Sequence, residues 1–320
     1  MPQSFSENPS RKGGRPLQRI KNDLIYYSAR ALIFLINCLP FPFVSRLGRG
    51  FGSLVYGLAG GERRKTLASI RTAFPKNFSH EQVERLARTV WVRLGQNLFE
   101  VVRWQSMTTA ELLSQVVRGR GWEHLDKALS RGKGAFVVTG HLGNWELLGA
   151  VLAAHHPTAG LAQKLYDPRF DDLVTEMRTF KLKASMIKRG LALRGILEAL
   201  KDNKIVYALV DQDSGNDGVF VPFFGKDAWT QSGVARIARK TGAAVVPAFL
   251  VRGADGRFEF QIDREIEVRQ SKDFEGDVLE TVRRYTEAVE SYVKAYPDQW
   301  MWMHERWKTR PQGETTGEKV

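Results

Sequence analysis

At 320 residues the chain is long enough to bury a substantial core as a single α/β domain with an appended membrane segment. Its composition, 43% hydrophobic and 26% charged, excludes wholesale disorder, and a single cysteine, Cys38, excludes an internal disulfide and a multi-cysteine metal site. The formal charge of +13 points to an anionic partner: nucleic acid, an anionic membrane surface or an acidic carrier protein.

Residues 1–23 carry Arg11, Lys12, Arg15, Arg19 and Lys21 among Ser, Pro and Gly and read as a disordered basic arm. An apolar run, Leu24–Leu39, follows and is stopped by Pro40 and Pro42. As a helix it would be roughly 24 Å long at 1.5 Å per residue, short of a hydrocarbon core of about 30 Å. No small-residue cleavage site follows it, so the reading is a retained anchor that spans poorly or lies in the interface, against the alternative of a buried helix. Residues 24–61 are therefore taken as anchor and Gly-rich connection. Gly48, Gly50, Gly52, Gly57, Gly60 and Gly61 are dense there, but Ser53 stands where a dinucleotide loop needs its last glycine, so close helix packing or a bend is expected.

Residues 62–311 form the expected catalytic domain, with a flexible tail over 312–320. Val83, Leu86, Val90, Leu94 and Leu98 predict a helix over Glu81–Phe99. Beyond Gly121 strands and helices alternate. Strands are expected at Ala135–Thr139, Ile205–Val210 and Ala244–Val251, and helices at Asn144–Ala154, Ser232–Lys240 and Val282–Val293. This pattern predicts an α/β fold, a mixed sheet flanked by helices with an N-terminal membrane-anchoring helix.

The sharpest feature is Thr139-Gly140-His141-Leu142-Gly143-Asn144-Trp145-Glu146, where a strand hands over to a helix. An acid five residues after one of six histidines is close to an even chance in this composition, so the spacing alone decides nothing. The context does more: the ends of strands in open α/β sheets are where ligands bind. Residues five apart on one helix point away from each other, so His141 must sit on the turn, with Glu146 reaching back from the first turns of the helix. Gly140 and Gly143 would permit that turn. A neutral imidazole can take the proton of an attacking hydroxyl while a carboxylate fixes its tautomer. No GxSxG elbow supports a serine hydrolase.

His141 to Glu146 resembles the HX4(D/E) motif of the glycerolipid acyltransferase superfamily. Further blocks resemble the late acyltransferases of lipid A biosynthesis, which add secondary lauroyl or myristoyl chains. They are Ser185–Arg189, Asp211-Gln212-Asp213, Val219–Gly225, Thr241–Pro247 and Trp300–Pro311. The resemblance runs from the apolar run to about Pro311. It implies an enzyme on the cytoplasmic face of the bacterial inner membrane, with acyl carrier protein (or coenzyme A) thioester as donor, an anionic glycolipid hydroxyl as acceptor, and no cofactor. Lys164 stands where the family usually offers an arginine, and a lysine cannot make the bidentate fork.

Lys164 is a candidate for an acceptor phosphate, and Arg189 for an acceptor or carrier phosphate or else a surface or structural role. Asp211 and Asp213 would orient Arg189 or the acceptor, or serve as ordinary turn carboxylates. Phe220, Phe223 and Phe224 would line an acyl channel or pack as core. Arg306, with Trp300, Trp302 and Trp307, would meet substrate at the membrane interface or pack over the sheet. Two rivals stand beside this reading. One keeps the chemistry but acts on a lysophospholipid, an ornithine lipid or a phosphoinositol mannoside. The other is a non-enzymatic basic protein that binds membrane or nucleic acid. Against nucleic acid, the basic residues are scattered among acids and form no known binding motif.

Overall fold

The computed structural model describes residues 16–75, 78–104, 106–114, 116–161, 169, 185–187, 192–213, 215 and 217–311. A helical N-terminal part comprises α1 (Pro16–Cys38), α2 (Phe41–Leu58), α3 (Gly60–Ala73) and α4 (His80–Trp104), followed by the short α5 (Thr109–Ser114). Helix α1 begins at Pro16, inside the segment expected to be a disordered arm. Proline suits a first helical turn, where its missing N–H has no partner to lose, and Leu17, Ile20 and Leu24 continue the helical spacing backwards. Among the described residues no helix is long and apolar enough to cross a membrane, so a spanning anchor has no support. The break at Pro40 instead folds the apolar run back on the domain, and Ile36 packs with Val44 and Phe99.

The glycines of α2 fall into two groups. Gly48 and Gly52 are buried against α4, where a Cβ on Gly48 would stand 2.7 Å from the Gly95 carbonyl and one on Gly52 would overlap the Trp91 carbonyl. The helix axes therefore approach as closely as backbone allows. Gly50 and Gly57 face open space.

Among the described residues, the rest of the chain is built on a seven-stranded sheet in the order β1-β9-β8-β2-β5-β3-β4. Its strands are β1 (Val116–Arg120), β2 (Ala135–Thr139), β3 (Thr158–Leu161), β4 (Ser185–Ile187), β5 (Ile205–Leu209), β8 (Ala244–Arg252) and β9 (Phe258–Ile262). All neighbours are parallel except β8 and β9, so the sheet is mixed. Strands β2 and β8 are buried along their whole length, as parallel strands covered on both faces must be. Helices α6 (Trp122–Leu129), α7 (Trp145–His155), α8 (Ala192–Lys201), α9 (Gly233–Thr241) and α10 (Phe274–Ala295) flank it. Two core clusters lie on the sheet's faces, one holding Phe136, Val138 and Val206, the other Ala135, Val137 and Ile205.

A separate hairpin, β6 (Gly218–Phe223) and β7 (Lys226–Gln231), turns through Phe224 and Gly225, both at positive φ (52° and 71°). A two-residue turn of this hand matches the strand twist, and the Phe224 N–H donates to Glu290 Oε2 (2.7 Å) across to α10. After the 3₁₀ turn Pro297–Gln299, the tail packs on the domain. Trp300 and Trp302 are fully buried and Trp307 nearly so, which settles the tryptophans as packing over the sheet.

Candidate active site

Strands β2 and β5 are parallel neighbours in a register that pairs Thr139 with Leu209. Two residues further along each chain come His141 and Asp211, so the register itself sets them side by side at the C-terminal ends of central strands. Asp211 Oδ1 lies 2.7 Å from His141 Nδ1. Asp211 Oδ2 accepts from the His141 backbone N–H at 2.7 Å and from Trp300 Nε1 at 2.8 Å. Burial pushes the Asp211 carboxyl up, but the charge of His141 and these three donors outweigh it and hold it down at about 2. It is therefore an anion at neutral pH, and it fixes the imidazole proton on Nδ1 and leaves the lone pair on Nε2.

The carboxylate that holds the imidazole is thus Asp211, and the expected partner, Glu146, stands elsewhere: in the first turn of α7, lining a neighbouring cavity. The turn itself follows the expected design. Gly140 lets Asp211 approach, since a Cβ there would stand 3.1 Å from Oδ2, and Gly143 has φ +60°. Asn144 caps α7 by accepting from the Leu147 N–H at 3.2 Å. The turn is also tied from outside. The Gly143 N–H donates to the Gln299 carbonyl (3.0 Å), the Asn144 N–H to the Leu250 carbonyl (3.0 Å) and the Met301 N–H to the His141 carbonyl (3.1 Å). From α4, Asn97 Nδ2 donates to the Gly143 carbonyl at 2.7 Å. Asn97 is itself held by Arg252, whose guanidinium forms a buried ion pair with Glu100.

Beside the turn lies a cavity of about 440 Å³ with almost wholly apolar walls. Phe51, Gly52 and Val55 of α2 and Trp91, Leu94 and Leu98 of α4 form one side; Trp145, Glu146, Met301 and Met303 form the end nearest His141. Trp145 meets the His141 ring edge-on, centroids 5.2 Å apart. The close approach of α2 and α4 at their glycines thus shapes one wall of a slot beside the turn that carries His141.

The other expected site residues separate. Asp213 accepts from Thr309 N–H (2.7 Å) and Oγ1–H (3.0 Å), so it fastens the C-terminal tail. Phe223 is fully buried against Trp300 and Trp307, and Phe224 packs on Phe74 and Trp302; neither lines the cavity. Arg306 is buried, donates to the Trp229 carbonyl and Thr230 Oγ1 of the hairpin, and stacks over Phe223, which leaves its guanidinium engaged in packing rather than on substrate. Lys164 and Arg189 lie outside the described residues. Sequence reasoning missed the roles of Gln212 and His304, which meet at His141. It also missed the cavity residues of α2, whose signal was the Gly48/Gly52 spacing.

The family described as bacterial lipid A biosynthesis acyltransferase matches residues 12–309, and the chain belongs to it; it is an acyltransferase. It is 27% identical over 287 residues to the Escherichia coli lipid A biosynthesis lauroyltransferase, covering 88% of this chain and 90% of that one. It is 28% identical over 289 residues to the palmitoleoyltransferase of the same organism, covering 87% and 89%. A phosphatidylinositol mannoside acyltransferase of Mycobacterium tuberculosis is 28% identical over 219 residues, 67% of each chain.

Proposed function

We propose that this enzyme moves a fatty acyl chain from an acyl carrier protein thioester to a hydroxyl of a lipid A precursor or a similar glycolipid. His141 acts as general base. The observation that carries this is the His141–Asp211 pair beside an apolar cavity, which Trp145 lines while meeting the His141 ring. His141 Nε2 takes the proton as the acceptor oxygen attacks the thioester carbonyl. Asp211 stabilises the imidazolium, which then returns the proton to the leaving sulfur. Each step balances without an enzyme nucleophile. The acyl chain lies in the slot between α2 and α4, whose volume falls in the range of small-ligand sites. Glu146, which lines that slot, meets the acceptor rather than the imidazole. Arg189 and Lys164 are the proposed contacts to the acceptor's phosphate.

The enzyme works at the cytoplasmic face of the inner membrane, held on the surface rather than through it. Among the described residues, thirteen of the sixteen large exposed hydrophobic residues belong to α1, α2 and α4. On α2, Phe43, Leu47, Leu54 and Leu58 form an outward stripe opposite the glycines that face α4. An amphipathic helix of that kind lies in the interface, and the acyl slot opens between the same two helices. The net charge of +13 favours an anionic surface and an acidic donor.

The test is acyl transfer by purified protein, with products identified by mass spectrometry. Dodecanoyl thioesters of acyl carrier protein and of coenzyme A are offered with a lipid A precursor, a lysophospholipid, an ornithine lipid and a phosphatidylinositol mannoside. Transfer to the lipid A precursor from the carrier protein is expected. Exclusive acylation of the mannoside would favour the acceptor named for the mycobacterial relative. His141→Ala should lose roughly 10²–10⁴ of activity, and near-normal turnover by that folded variant would end the mechanism.

A further inference from the structure

The base has a second neighbour. Gln212 follows Asp211 directly, and its Nε2 lies 3.2 Å from His141 Nε2 and 2.6 Å from His304 Nε2. The chemistry fixes which way this amide faces. Asp211 holds the His141 proton on Nδ1, so Nε2 presents a bare lone pair, and only an N–H can face it. A primary amide has two N–H groups, and the second reaches His304 Nε2. His304 must therefore accept, with its own proton on Nδ1. It is largely buried, and burial first and His141 second push its pKa below the usual imidazole range, so it is neutral and able to accept. The two imidazole rings stand 5.2 Å apart with the amide between them.

We propose that Gln212 is a further catalytic residue: anchored by His304, its side-chain amide donates to the oxygen on which negative charge collects during acyl transfer. This rests on His141 being the base. In the free enzyme one Gln212 N–H occupies the place that the acceptor hydroxyl must take at His141 Nε2. When the hydroxyl displaces it, the other N–H keeps its bond to His304, and the freed N–H stays within a few ångströms of the reacting carbonyl. As the C–O bond forms, the hydroxyl proton passes to His141 Nε2 and the carbonyl π pair moves to oxygen, which accepts from Gln212. Collapse restores the carbonyl, breaks the C–S bond and returns the proton to sulfur. A donor fixed before the charge appears needs no reorganisation, which is the condition for a large effect. His304 touches no reacting atom in this scheme; it is a positioning residue that holds the amide.

Gln212→Leu and Gln212→Glu are compared with wild type in the dodecanoyl transfer assay, each checked for a native melting curve. Gln212→Glu keeps size and shape but loses the donor, so a residue that merely fills space would tolerate it. Both variants should lose roughly 10²–10³-fold in kcat with KM little changed. His304→Ala should lose a smaller factor, and adding it to Gln212→Leu should cost nothing more, because it acts only through the amide. In Gln212→Glu the acidic limb of the kcat/KM–pH profile should also move to higher pH, since a new carboxylate beside Nε2 favours the imidazolium. The groups already facing that ring are Asp211, His304 and Trp145, with Glu62 acting on His304. Folded Gln212→Leu turning over at the wild-type rate, or faster, would show that the amide only covers the base and would overturn the proposal. His141→Ala run alongside separates the outcomes: activity there ends the base assignment itself, whereas an inactive His141→Ala beside an active Gln212→Leu removes only the role of Gln212.

Discussion

Asp211→Asn is the most informative single perturbation because the structure dictates what the amide must do. Asp211 Oδ2 accepts two bonds, from the His141 backbone N–H and Trp300 Nε1, while Oδ1 accepts one from Nδ1. Asparagine has one acceptor oxygen, and it goes where two donors converge. Its NH₂ then faces Nδ1, which must become the acceptor, and the imidazole proton shifts to Nε2, where the base needs a lone pair. The opposite orientation would set the NH₂ against two buried donors, each costing about 1–3 kcal/mol. The same exchange in a Ser–His–Asp triad costs about 10⁴ in kcat. A loss of about 10³–10⁴ is therefore expected here, or about 4–5.5 kcal/mol of barrier at 1.36 kcal/mol per decade. The assay is kcat at saturating donor and acceptor, with near-ultraviolet circular dichroism to confirm the fold. Glu146→Gln should lose clearly less, since Glu146 does not hold the ring. If folded Asp211→Asn stayed within about tenfold of wild type, or Glu146→Gln proved the more damaging change, Asp211 would not be the orienting carboxylate.

The depressed Asp211 pKa also has a stability consequence. Its folded value of about 2 lies below the ordinary 3.8, so the stabilisation is full above 3.8 and disappears as pH falls through about 2. It amounts to roughly 2 kcal/mol, and the urea midpoints of wild type and Asp211→Asn should converge over that window. Gly52→Ala would push a methyl group into the Trp91 carbonyl and should cost about 1–3 kcal/mol, whereas Gly50→Ala, which meets nothing, should be neutral or stabilising; equal effects would mean that α2 and α4 do not pack as described. Arg252→Met leaves Glu100 charged and buried and should destabilise by about 3–5 kcal/mol in urea melts, with Arg252→Met/Glu100→Leu recovering much of the loss. Leu94→Trp should narrow the slot and move donor preference to shorter acyl chains in a competition assay read by mass spectrometry; an unchanged preference would place the acyl chain elsewhere.

By itself the sequence determined the alternation of strands and helices, the placement of His141 on a strand-to-helix turn, and the glycines that allow that turn. These are local properties: apolar runs set the strands, and Gly140, Gly143 and Asn144 set the turn and cap. Family membership was legible for the same reason, since its blocks are contiguous. The partner of His141 was not. Glu146 is near in sequence, but Asp211, seventy residues away, is brought alongside by the β2–β5 register, and no single-chain pattern states which strands pair. The same holds for Arg306 and the tryptophans. Their composition suggested an interface, yet the Trp300 and Trp307 indole N–H groups and the Arg306 guanidinium find partners only once the tail lies over the sheet and hairpin, while Trp302 bonds locally to the Pro297 carbonyl. The apolar run before Pro40 was visible as hydrophobic. Whether it crossed a bilayer depended on where its faces went, and only tertiary packing turned part of it inward on α2 and α4 while leaving the rest exposed.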